Sequence, residues 1–370
     1  MSKVNIEGGI VGDPEDTDVD RSALENILNL LTKQTREGLH SGAQLHIAFK
    51  GKTILNVAVG EARPDIPMKT NSVLLIFSSS KPLTAIVIAQ LWEQGKLHLN
   101  QKVQSIIPEF ANGKENVTLR HLMTHTSGFP MNTYNWRGTS NDEIYLSNIY
   151  KQEPKYKPGT QCGYHPSSSW MILGEIVRRI EHIPISKYLD KNVFKPLGMK
   201  NTSLGITEER TEELGDRRAF KDTEVPEEIS TVKNVNRPTK VFLPGGSGYS
   251  TAYDMGLFYK ALWNGGEWDG VRIIKKKTLD YFIETQIKGI IDQTMGFRTS
   301  YGFGFFKGRT NGSDCSPNTF GHGGRKSCVN FCDPDIGLIV NFNSNTMLNN
   351  EENLSRAESM RKVIYDAFRP

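Results

Sequence analysis

Apolar residues alternate with period two near both ends of this chain and recur at helical spacing between those ends. Gln44–Phe49 and Thr53–Val59 alternate around Lys50-Gly51-Lys52, the pattern of a β-hairpin. Strand signals return at Tyr301–Phe306, Ser327–Phe331 and Leu338–Phe342, the last two flanking the turn sequence Asp333-Pro334-Asp335-Ile336-Gly337. Helical periodicity marks a segment from Arg21 (Leu24, Ile27, Leu28, Leu31), then Pro82–Leu97, Trp170–Ile180, Ile185–Phe194 and a closing Asn353–Phe368. This order predicts an α+β fold. One antiparallel sheet is built from both chain ends and flanked by terminal helices, with a mainly helical lobe inserted into it. The sheet lobe is expected over about 21–70 and 240–370 and the helical lobe over about 71–239, as a single domain spanning 21–370. Residues 1–20, rich in Asp and Gly, are expected to form a mobile tail. The charged, weakly patterned stretch 206–240 is expected to be a long surface excursion.

Bulk properties narrow the possible functions. With 370 residues, 37% hydrophobic and 23% charged, the chain can bury a large core and is not disordered. Its 45 basic and 41 acidic residues leave a formal charge of +4, which gives no electrostatic case for nucleic acid or an anionic membrane. No stretch approaches the ~18 apolar residues that span a bilayer. The N-terminal MSKVNIEGGIVGDPEDTDVD has no apolar core of the kind a secretory signal needs. Cys162, Cys315, Cys328 and Cys332 are too few for a disulfide framework and match no zinc spacing. A cytoplasmic protein with reduced thiols and no metal or cofactor is expected.

The chemistry is concentrated in Phe77-Ser78-Ser79-Ser80-Lys81, which leads into a helical run. A serine hydroxyl is a poor nucleophile until a base removes its proton. Three residues of helical spacing put Ser78 and Lys81 on one face, within reach of a shared proton. Burial would disfavour the ammonium and make Lys81 a base, while the helix N-terminus would favour negative charge developing beside Ser78. Read alone, the same residues could be an N-capping serine and a surface lysine.

Further motifs add weight. Pro158-Gly159-Thr160-Gln161-Cys162-Gly163-Tyr164-His165-Pro166 runs into a helix, and Phe320-Gly321-His322-Gly323-Gly324 precedes a strand. Together with Ser78–Lys81 they resemble, in order and interval, the three active-site motifs of class C β-lactamases and their esterase relatives. Thr118–Gly128, Pro196-Leu197-Gly198-Met199 and Gly245–Met255 are similar to recurring stretches of the same β-lactamase-like serine hydrolases. The resemblance covers roughly 22–368 and implies a β-lactamase/transpeptidase-like fold. It further implies that Ser78 forms an acyl-enzyme, with Lys81 and Tyr164 as coupled base and acid. The backbone N–H groups of Ser78 and Arg325 would form an oxyanion hole. His322 would sit beside Tyr164 and tune it through a hydrogen bond, with Gly323 and Gly324 lining the site.

The chain departs from the β-lactamase pattern at two places. Pro166 stands where the lactamases carry an amide-binding asparagine, and His322 stands where they carry a lysine. Both changes favour ester hydrolysis or acyl transfer over β-lactamase or D-peptidase activity, so an esterase, amidase or acyltransferase on small acyl compounds is expected, with a small-molecule ester, amide or lactam as substrate. A non-catalytic scaffold retaining the fold is the alternative of another class. Tyr134 and Trp136 could wall the pocket, although plain packing also explains them. His121 and His125 have helical metal-site spacing but lack the neighbouring glutamate of a metalloprotease. No Gly-x-Ser-x-Gly elbow is present, which argues against an α/β-hydrolase.

Overall fold

The computed structural model describes residues 4–12, 19–129 and 141–369. Nine strands form the main sheet: β1 (Ile6–Ile10), β2 (Gly42–Phe49), β3 (Lys52–Arg63), β4 (Ile287–Ile291), β5 (Arg298–Tyr301), β6 (Phe306–Lys307), β7 (Phe320–Gly324), β8 (Cys328–Asp333) and β9 (Leu338–Ser344). A two-residue strand, Ile66–Pro67, pairs with β3 off that path. The spatial order is β1-β3-β2-β9-β8-β7-β6-β5-β4, antiparallel throughout. The central join is between the two chain ends, where Ile47 pairs with Val340. The expected architecture is therefore present.

Alternation along these strands divides the core in two. Leu45 and Ile47 of β2, with Leu338, Val340 and Phe342 of β9, pack against the terminal helices α1 (Arg21–Arg36) and α5 (Asn350–Phe368). Ala48 and Ile339 point to the opposite face and join the larger core built around α2 (Lys81–Glu93). Every residue of α2 from Lys81 to Leu91 is buried, so it is a central helix rather than a surface one. The helices α3 (Ser168–Glu181) and α4 (Ala252–Trp263) complete that core, with the indole of Trp170 wholly enclosed.

Three expectations need correction. Ile6–Ile10 is an edge strand on β3, with Gly8 opposite Val57, and not part of a mobile tail. The Gly8-Gly9 pair hides it, because that pair reads as loop. The stretch 206–240 contains helices at Glu208–Leu214 and Pro226–Val235, whose Leu214 and Val235 are buried against Val73, Leu75 and Phe77. Its charged exterior concealed a packed inner face. Tyr301–Phe306 is two short strands, β5 and β6, folded back on each other so that Tyr301 pairs with Phe306. All four cysteines are free and buried, and no described helix is long and apolar enough to cross a membrane.

A second, three-stranded sheet positions the chemistry. Leu74–Phe77 pairs with Gly248–Ser250, which pairs with Ser203–Leu204, and Leu74–Phe77 delivers the chain to Ser78. The end of β7 lies hard against this strand. A Cβ on Gly324 would overlap the carbonyl oxygen of Ile76, backbone against backbone. Gly324→Ala should thus force two strands apart and lower stability by about 1–3 kcal/mol, the usual range for overpacking. Guanidinium unfolding checks this, and a midpoint equal to that of the parent protein would show that the junction yields.

Candidate active site

The chain turns sharply at Ser78. Phe77 has φ 47° and ψ −130°, a conformation costly for a residue with a side chain, and it lifts the following serine out of the strand direction. Surrounding contacts hold the strained residue in place. The Ser80 hydroxyl donates to the Phe77 carbonyl and accepts the Gly248 N–H, while the Lys221 ammonium lies 5.2 Å from the centre of the Phe77 ring. Ser78–Ser80 forms a single 3₁₀ turn, and α2 begins at Lys81 with Pro82 in its first turn, where a missing N–H costs nothing.

That geometry brings together the three residues expected to do the chemistry. Lys81 Nζ lies 2.9 Å from Ser78 Oγ, and the Tyr164 hydroxyl lies 2.8 Å from the same oxygen. The other neighbours of Lys81 Nζ are the carbonyls of Pro166 at 2.9 Å and Gly245 at 2.8 Å. Its side chain is wholly buried, and that desolvation holds its pKa well below the ordinary lysine value. Two carbonyls can only accept. A neutral amine therefore spends both N–H bonds on them and turns its lone pair toward Ser78 Oγ. Burial pushes the Tyr164 phenol the other way, well above the usual tyrosine value, so it stays protonated and can donate to Ser78 Oγ.

Tyr164 is anchored through its backbone. Its N–H donates to Asp292 Oδ1 at 2.9 Å, an oxygen that also accepts the N–H groups of Thr294 and Met295. The other carboxylate oxygen accepts the Tyr301 hydroxyl at 2.8 Å. Behind Tyr164, His125 stands in a left-handed conformation and accepts the His165 N–H on Nδ1, and His121 Nδ1 accepts the Thr118 N–H. Both histidines thus have a structural role. Ser79 donates to the His322 carbonyl at 2.8 Å and accepts from Asn330, tying the nucleophile turn to β7. Asp292 and Asn330 carry no sequence motif, and the contacts of Ser79 and of the Pro166 carbonyl, though both residues lie inside motifs, were not foreseen. Each acts through contacts distant in the chain, so no local signal marked them.

A cleft of about 600 Å³ opens on Ser78 and Tyr164 and is also lined by Pro166, His322, Gly323, Gly324 and Arg325. Tyr134 and Trp136 lie outside the described residues. His322 is beside Tyr164, with ring centres 5.9 Å apart, but makes no hydrogen bond to it. Its ring stacks on Phe306 at 4.0 Å, and Nδ1 lies 2.6 Å from the Gly323 carbonyl. A carbonyl can only accept, so Nδ1 carries the hydrogen. Burial holds the pKa well below the usual histidine value. The imidazole is consequently neutral and Nε2 is a buried, unpartnered acceptor. The side chain of Arg325 turns away and pairs with Glu228 at 2.9 Å.

Comparison with known proteins identifies the family. A family model described as Beta-lactamase matches residues 28–364. Protein flp of Staphylococcus aureus (strain N315) is 27% identical over 197 residues, covering 50% of this chain and 39% of its own length. The chain thus spans well under half the length of that relative. The N-acetylmuramyl-L-alanine amidase of Bacillus subtilis (strain 168) is 24% identical over 363 residues, covering 84% of this chain and 79% of that protein. A solved family VIII carboxylesterase superposes with a TM-score of 0.79 at 21% identity, covering 96% of this chain and 100% of that one. Its likeness speaks to the fold. The family match spans nearly the whole chain, over a sheet assembled from both chain ends, and this protein belongs to the Beta-lactamase family.

Proposed function

We propose that this protein is a serine hydrolase that works through an acyl-enzyme on Ser78 and prefers esters to β-lactams. The observation that carries the reading is the buried Lys81 amine, 2.9 Å from Ser78 Oγ with its remaining contacts on carbonyls. A neutral Lys81 takes the Ser78 proton as the oxygen attacks the scissile carbonyl. Tyr164, kept protonated by burial, donates to the leaving oxygen or nitrogen, and its proton is restored from Lys81. Water then repeats the sequence on the acyl-enzyme, or a second alcohol does so in acyl transfer. The Ser78 and Arg325 N–H groups are assigned to the developing oxyanion, each worth about 2.7–4 kcal/mol if the site behaves like other oxyanion holes.

Two features support the ester preference. Pro166 offers the substrate no side-chain donor, and its carbonyl is already engaged by Lys81. His322 supplies a neutral acceptor at the point where the β-lactamases place a cation, so a lactam carboxylate meets no charge there. An amide also needs better hydrogen bonding than an ester, because its nitrogen must be protonated to leave. One missing hydrogen bond costs about 0.5–1.5 kcal/mol. The carboxylesterase neighbour is consistent with this ranking, and the Bacillus amidase keeps amides within the class to be assayed.

A fluorophosphonate probe should add once, at Ser78, by intact-mass spectrometry, and labelling that persists in Ser78→Ala would remove the nucleophile assignment. Short-chain aryl esters should give higher kcat/KM than nitrocefin with the same enzyme stock. Faster nitrocefin turnover than every ester tested reverses the preference. For Lys81 the sign is set by its depressed pKa. The base form is already present well below the ordinary lysine range, and activity falls only as pH drops through the depressed value. Lys81→Arg keeps a cation that cannot give up its proton near neutrality, so kcat/KM should fall by about 10²–10⁴-fold at every pH assayed. A pH–rate profile showing ordinary turnover in that variant would exclude Lys81 as the base.

A further inference from the structure

The cleft does not end at the serine. It continues from Ser78 past β7 to a far wall made by α5 and the turn 309–313, where it is lined by Arg309, Gly312, Leu354, Ala357 and Arg361. Arg325 and Lys326 also line it and share one carboxylate, Glu228, at 2.9 and 3.3 Å, so each has an ion-pair partner although one positive charge is left over. Arg361 is different. Its side chain is only 8% exposed, its Nε is buried without a hydrogen-bond partner, and no carboxylate among the described residues pairs with it. Glu358, three residues earlier on the same helix, also lines the cleft without pairing with it. Gly312 makes room for the guanidinium: a Cβ there would overlap Arg361 Nε.

A guanidinium this nearly buried, with no carboxylate paired to it among the described residues, is a ready partner for an anion that enters the cleft. The cleft gives an anion access to it, and Arg309 adds a second, exposed cation at the same end. The planar fork of arginine matches a carboxylate, with two parallel hydrogen bonds. We propose that Arg361 anchors a substrate carboxylate remote from the scissile carbonyl, so that the preferred substrates are half-esters of dicarboxylic acids. This rests on the serine-hydrolase reading and adds the substrate class to it. In the reaction, Ser78 Oγ bonds to the ester carbonyl carbon as the C–O bond to the alcohol breaks, and the alcohol leaves with a proton. Water then cleaves the acyl-enzyme, and the dicarboxylic acid is released with its anchored carboxylate unchanged.

Two measurements test the anchor. Monomethyl and dimethyl adipate are titrated calorimetrically into Ser78→Ala protein, which reads binding without turnover. The monoester should bind at least tenfold more tightly, and the difference should vanish when Arg361→Gln is added. Should that variant not fold, Ala357→Glu serves instead: it places a carboxylate one helical turn before Arg361, where it would pair with the guanidinium and exclude the ligand. Equal binding of the two esters, or a preference that survives both substitutions, overturns the proposal. In protein with Ser78 intact, the ratio of kcat/KM for p-nitrophenyl hydrogen adipate over p-nitrophenyl hexanoate should fall at least tenfold in Ala357→Glu, and an unchanged ratio counts against the anchor. Monoester preference without turnover of any ester leaves the anchor standing and removes the hydrolase reading. Ester turnover without the preference does the reverse.

Discussion

The site depends on keeping one amine dry. Lys81 is buried at the start of a helix enclosed on every side, and its three polar neighbours are two main-chain carbonyls and the Ser78 hydroxyl. A protonated lysine there would face a large desolvation cost with no carboxylate paired to it among the described residues. The neutral form is the one this environment favours. The three features that enclose it come from two parts of the chain: the Pro166 turn with the nearby indole of Trp170, 5.4 Å from Nζ, and the Gly245 turn. Packing and proton chemistry are here the same constraint.

The second sheet and β7 convert that enclosure into a site with access. The strained Phe77 aims Ser78 outward, and Ser79, in the same turn, fastens to β7 through the His322 carbonyl. The edge of β7 that meets Ser78 is therefore referenced to the Ser78 turn itself. Asp292 does the equivalent for Tyr164 by accepting three backbone N–H groups on one oxygen. Such a carboxylate fixes a loop more firmly than a neutral acceptor would, because hydrogen bonds to a charged group are stronger.

What could be read from the sequence follows from how local each signal is. Ser78 and Lys81 lie one turn apart, so the contact between them is written in four consecutive residues. The alternation of β2 and β9 was equally legible because each strand sorts its side chains between two dissimilar cores. Edge strand β1 was missed because two glycines interrupt its pattern, and 206–240 because its charged residues outnumber the few apolar ones that dock. The tuning of Tyr164 by a histidine hydrogen bond failed for a geometric reason: His322 spends its Nδ1 hydrogen on its own neighbour's carbonyl. Asp292 and Arg361 could not have been singled out, since an isolated acid or base in a polar stretch looks like any other. Only burial and the identity of distant partners distinguish them.

The join of the two chain ends also has a kinetic side. The hairpin of β2 and β3 is local in the chain, yet the β2 edge that pairs with β9 waits for residues Leu338–Ser344, far later in the sequence. Throughout that interval β2 presents an open row of main-chain donors and acceptors beside apolar side chains such as Leu45 and Ile47, the kind of edge that recruits wrong partners. Contacts this far apart in the chain also carry a high loop-closure cost and form slowly. Assembly of the nucleophile turn waits on the same event, because β7 reaches Ser79 only once the C-terminal strands are in register. Until β9 docks, the chain thus carries an incomplete Ser78 turn and an edge open to aggregation.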